Sequence, residues 1–186
     1  MSRAHGPLWA GLIAMTLVCA EAAAELPDGV QQDGFQLDQV GEGRLTWLGF
    51  GIYEASLWTP DGRFADFRDE RPVALALWYE RKFSRQQLID ITSGEWERLE
   101  LAPAAVRAAW SRELERIWRD VDKGDNLTAV VVPGRETLFY DDQGLLGHLR
   151  DPDFGPAFLR IWLDTRTAIQ DLRVQLLGEQ GNTRNP

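Results

Sequence analysis

The chain has 186 residues, with 29 acidic against 20 basic side chains, a net charge of −9, one cysteine and two histidines. A surface this acidic repels nucleic-acid phosphate, and no basic stripe offsets it; the same excess argues against adhesion to an anionic membrane. Cysteine and histidine are too scarce for a thiolate site or a multi-histidine zinc site; no metal and no other cofactor is expected.

Residues 1–24 read as a secretory signal. Arg3 supplies the basic start, Leu8 to Ala20 the apolar run, and Ala22-Ala23-Ala24 the small residues a signal peptidase needs. The run is too short for a membrane anchor. Cleavage after Ala24 would remove Cys19 and His5, leaving residues 25–186 as one domain with His148 as its only histidine. Such a domain has no disulfide and no thiol nucleophile. The expected location is the periplasm, without a stable membrane anchor.

Glu25 to Gly34 reads as a polar lead-in with a Pro27-Asp28-Gly29 turn. Phe35 to Val40 predicts a first strand, and Gly41-x-Gly43 a turn into a long central strand ending at Pro60. That central stretch is apolar on both faces in its middle, which predicts that both are covered. Gly49 and Gly51 within it point to a bulge or a close approach by another group. Arg63 to Arg71 is a charged loop, and Pro72 to Tyr79 the next strand.

Ser84 with Gln87 has capping-box spacing and opens a helix to Leu99, with Leu88, Ile91, Glu95 and Leu99 on one side. Pro103 opens a second helix with an apolar stripe through Val106, Trp110, Leu114, Ile117 and Trp118. Leu127 to Val132 and Glu136 to Asp141 predict a hairpin across Pro133-Gly134, and Leu145 to Leu149 a short further strand. Asp151-Pro152 starts a helix through Phe154, Phe158, Ile161 and Trp162. Ala168 to Leu177 is a last helix, with Thr167 as cap and Gly178 at its C-terminal exit. Clustered strands and clustered helices, without βαβ alternation, predict an α+β domain: an antiparallel sheet with helices layered on one face.

Four blocks taken together resemble the chalcone isomerase-like superfamily, in its exported bacterial branch. They are Gly43-Arg44 with Leu48 to Trp58, Leu75 to Tyr79, Asp120 to Asp125, and Phe154 to Gly178. The resemblance implies a ligand cleft between sheet and helices. The superfamily holds isomerases and non-catalytic members that bind fatty acids. The isomerases' Thr before the Gly-x-Tyr strand falls on Leu48, and their helical Tyr and Asn after a Gln-Gln pair fall on Leu88 and Glu95. Leucines cannot donate to a developing enolate oxygen, so the resemblance argues for the fold and against the isomerase reaction.

It also implies an arginine that meets a substrate oxygen or a fatty-acid carboxylate, for which Arg44 is the candidate through a bidentate fork. Tyr53 would add a hydroxyl, and Trp47, Phe50 and Glu95 would line the site. Arg44 is also readable as an ordinary strand-end residue, or as a structural ion pair with Glu95. Tyr53, Trp47 and Phe50 are also readable as plain core. His148, after a turn glycine and without a partner motif, reads as a surface or hydrogen-bonded residue. The expected function is non-catalytic binding of a small amphipathic or fatty acid. A structural or assembly partner with a filled cleft, and an isomerase or lyase acting on an enone, are the alternatives.

Overall fold

The computed structural model describes residues 25–179; the expected signal, residues 1–24, lies outside them. Six strands form one antiparallel meander in the order β1 to β6. They are β1 (Asp38–Trp47), β2 (Phe50–Thr59), β3 (Val73–Tyr79), β4 (Asn126–Val132), β5 (Glu136–Asp141) and β6 (Gly144–Leu149). The helices are α1 (Asp28–Gln32), α2 (Arg85–Arg98), α3 (Ala104–Ile117), α4 (Phe154–Leu163) and α5 (Gln170–Leu176). This is the expected α+β architecture.

The alternation of each strand sets the layers. Ala55, Leu57, Leu75, Leu77, Tyr79, Leu127, Ala129, Val131 and Phe139 point into a core shared with α2 to α5. Trp96, Trp110, Trp118, Phe139, Phe154 and Phe158 mesh there, mostly edge to face, at centroid separations of 5.2–6.2 Å. On the opposite face Ala74, Ala76, Val130 and Tyr140 pack with Leu26 and Val30, and Trp58, Trp78, Phe35 and Leu37 lie against them. The alanines of β3 therefore admit the N-terminal segment, not the main helix layer.

Three local expectations are corrected. The stretch from Gly41 to Pro60 is not one strand but a hairpin, whose two-residue turn is Leu48-Gly49, flanked by the pair Trp47 and Phe50. Both turn residues have positive φ, 51° and 81°, the primed-turn geometry that fits strand twist. Consequently its middle is not covered: Trp47, Leu48 and Phe50 are exposed.

Gly41 and Gly43 are not a turn either. They lie inside β1, where a Cβ at Gly41 would meet the Leu176 carbonyl at 2.8 Å and the Gly178 amide at 2.9 Å. The two glycines form a flat seat for α5. The first strand accordingly starts at Asp38, and Phe35 and Leu37 are left to cover the back face. Finally, Pro27-Asp28-Gly29 opens the short helix α1 where a turn was expected.

The helices follow their signals closely. The capping box at Ser84 and Gln87 is formed in both directions, and Gly178 leaves α5 with φ 69°. The buried side of α2 is Leu88, Ile89, Thr92 and Trp96, with Ile91 exposed. Thr167 does not cap α5 as its N-terminal residue; its hydroxyl donates to the Ile161 carbonyl at 2.6 Å and ties the α4–α5 loop down.

Candidate functional site

Between the inner face of the sheet and the helix layer lies a cavity of about 450 Å³. Its floor is Leu45 of β1, Ile52 and Tyr53 of β2, Leu77 and Tyr79 of β3, and Leu127 of β4. Its roof is Leu88, Ile91, Thr92 and Glu95 of α2, Phe158, Ile161 and Trp162 of α4, and Thr167 to Ile169 of the following loop. Trp47, Arg81 and Phe83 stand at one side. Nearly all of these are apolar, so the cavity suits a hydrocarbon, and its size falls within the ~300–1,000 Å³ usual for small-ligand sites.

A bulge shapes the floor. Leu45 pairs with Tyr53 and Thr46 with Gly51, so Ile52 is the extra residue of β2. The kink lets Ile52 and Tyr53, neighbours in sequence, both reach the cavity.

Tyr53 is the polar centre. Its hydroxyl accepts the Trp162 indole N–H at 2.9 Å, which leaves its own proton for an acceptor inside the cavity. Burial pushes its pKa well above the ordinary tyrosine value, and the Trp162 bond only partly offsets this. The group is therefore a neutral donor at any physiological pH. Tyr79 packs edge-on against it, centroids 6.1 Å apart, and is likewise pushed up by burial.

The charged candidates divide. Arg44 does not line the cavity. Its guanidinium forks onto the Glu80 carboxylate, which holds Glu80 below the usual carboxylate range. The alternative of an Arg44–Glu95 pair is thus replaced by Arg44–Glu80. This pair lies over Gly51, where any Cβ would collide with both side chains; that is the close approach the glycine signalled.

Glu95 does line the cavity, with its carboxylate committed to Arg98 at 2.6 and 3.0 Å. Phe50 stands outside, at the hairpin tip, while Trp47 spans the tip and the cavity wall. Of the positions matched to isomerase groups, Leu88 and Glu95 line the cavity and Leu48 is at the exposed turn. His148, on β6, is bonded to Glu136 at 2.9 Å, away from the cavity.

Arg81 was missed. It follows β3, lines the cavity and lies 5.6 Å above the Phe83 ring. The acids nearby are engaged elsewhere, Glu80 by Arg44 and Asp122 by Lys82, and Arg81 forms no ion pair among the described residues. In the sequence it was one of several charges after a strand, with nothing to mark it. No group of three or more potential metal-ligating side chains occurs among the described residues.

A meander sheet roofed by helices thus encloses an apolar cavity whose lining carries the hydroxyls of Tyr53, Tyr79, Thr92 and Thr167. The chain belongs to the chalcone isomerase-like family, whose model matches residues 20–178. In structure it is similar to a fatty-acid binding protein of Arabidopsis thaliana, with a TM-score of 0.61 and 10% identity over 78% of this chain and 89% of that one. Comparison with curated proteins gives no sequence match.

Proposed function

We propose that the protein is a non-catalytic periplasmic binder of a small amphipathic acid, a fatty acid being the simplest case. The observation that carries this reading is the cavity itself: an apolar interior into which the neutral Tyr53 hydroxyl can donate, with Arg81, a cation that forms no ion pair among the described residues, on its wall. The hydrocarbon lies between sheet and helices, where each buried CH₂ contributes about 0.8 kcal/mol. The carboxylate accepts from Tyr53, and Arg81 on the cavity wall attracts it at longer range. The fold shared with a plant fatty-acid binding protein supports the reading. Chemistry has little support: Tyr53 is held neutral, Glu95 is tied to Arg98, and neither has an adjacent nucleophile or base partner in the lining. A cleft filled by side chains, as an assembly role would allow, is at odds with the open volume.

Native mass spectrometry of the protein as the cell processes it tests this, with a saturated acid and the alcohol of equal length as probes. A one-to-one mass shift with the acid is expected. Arg81→Gln weakens the acid about two- to fivefold, as for a partly exposed ion pair, and leaves the alcohol unchanged. No shift with acids of any chain length would sink the reading.

A further inference from the structure

The β1–β2 tip presents an apolar surface that extends beyond the cavity. Trp47 is 67% exposed, Leu48 77% and Phe50 69%, and Ile91 of α2, which lines the same cavity as Trp47, is 57% exposed. These are large apolar side chains at a place where turns normally carry polar ones. Leu48 has φ 51°, a conformation suited to Asn or Gly and unfavourable for leucine. Its side chain meets no core, so the leucine serves neither the turn nor the packing.

The patch is continuous with the cavity. Trp47 and Ile91 line its wall and are exposed at the same time, so they form the rim between cavity and solvent. Arg81, which also lines the cavity and has no carboxylate partner among the described residues, places a cation at this end of a chain whose net charge is −9.

We infer that the β1–β2 tip is a docking wedge that seats the cavity mouth on the surface of a neutral phospholipid bilayer. Four side chains of this kind offer a few hundred Å², short of the roughly 800 Å² per partner of a stable protein interface. A bilayer requires no matching shape. Tryptophan favours the headgroup boundary, leucine and phenylalanine enter the acyl region, and Arg81 meets phosphate. The acidity of the rest of the molecule disfavours anionic lipid and keeps docking reversible. Apolar cargo then passes between bilayer and cavity without crossing water. Docking itself is independent of the acid-binding reading; only what passes through the mouth rests on it.

The test is co-sedimentation of the processed protein with phosphatidylcholine vesicles, without added acid. The wild type is compared with the triple variant Trp47→Ser, Leu48→Ser, Phe50→Ser, and with Leu48→Asn. The asparagine suits the positive φ, so that variant keeps or gains stability while losing an inserted side chain. Partition of the triple variant is expected to fall at least about tenfold, and that of Leu48→Asn by a smaller factor, with the wild type favouring neutral over anionic vesicles. Wild-type protein that stays in the supernatant, or variants that sediment equally well, would overturn the inference. So would a concentration-dependent dimer abolished by the triple variant, which would give the patch to a second copy of the chain. Acid binding in solution, read separately by native mass spectrometry, keeps failure of docking distinct from failure of the cavity reading.

Discussion

Replacing Tyr53 by phenylalanine separates its two tasks. The hydroxyl accepts the Trp162 N–H at 2.9 Å, and the Trp162 side chain is otherwise buried. Losing the acceptor strands that donor at a cost of about 1–3 kcal/mol. For a domain of this size each kcal/mol is worth about 2–4 °C in Tm, so a fall of roughly 2–12 °C is expected. Trp162→Phe in the same background removes the stranded donor, and the double variant should regain part of the loss in a double-mutant cycle.

The second task is donation to the bound carboxylate. A hydrogen bond to a charged group is worth about 1.5–3 kcal/mol, so Tyr53→Phe should weaken the acid roughly 10- to 150-fold while barely affecting the alcohol of the same length. Titration calorimetry at a temperature well below both Tm values measures this. An unchanged acid affinity, with Tm lowered as expected, would show that the hydroxyl only braces Trp162 and would refute its role toward ligand.

Other outcomes follow from the same geometry. Burial raises the folded pKa of Tyr53 and Tyr79 above the unfolded value near 10. Their contribution is complete below that pH and is lost as pH rises through it, by up to about 1.4 kcal/mol per unit for each tyrosine. Denaturant titrations at alkaline pH should show this slope, reduced in Tyr79→Phe; a flat profile would contradict the burial argument. Lengthening the acid should tighten binding about fourfold per CH₂ until the cavity is full and then level off, read from a homologous series. Gly41→Ala should cost about 1–3 kcal/mol in urea unfolding, because the added carbon meets α5 backbone that cannot rotate aside; an unchanged midpoint would mean that α5 does not rest on β1 as described.

What the sequence disclosed and what it hid have physical causes. Capping signals, helical stripes and the two-residue period of β3 to β5 are local, and those elements lie within a residue or two of expectation. Glycine is ambiguous because several causes share one symptom. Gly41 and Gly43 looked like a turn and are a seat for α5, while the real turn uses Leu48, a residue that turn chemistry disfavours. Ion-pair partners are not local at all. Arg44 and Glu80 meet only because β1, β2 and β3 lie side by side, and that meeting takes Arg44 from the cavity and leaves Arg81 beside it. Tyr53 could be picked out from its strand, but its tie to Trp162 spans 109 residues and only the fold reveals it.

The meander has a consequence for the order of assembly. Every strand pairs with its neighbour in sequence, so the sheet can be completed by residue 149, before any of α4 or α5 exists. The floor of the cavity is then covered only by α2, and the rest of the roof arrives with the last thirty or so described residues, secured when α5 settles on Gly41 and Gly43. A hydrophobic molecule present at that moment needs no doorway; it is enclosed as the chain closes. Nascent protein is thus most exposed to capture, by cargo or by aggregation, in the interval between finishing β6 and seating α5.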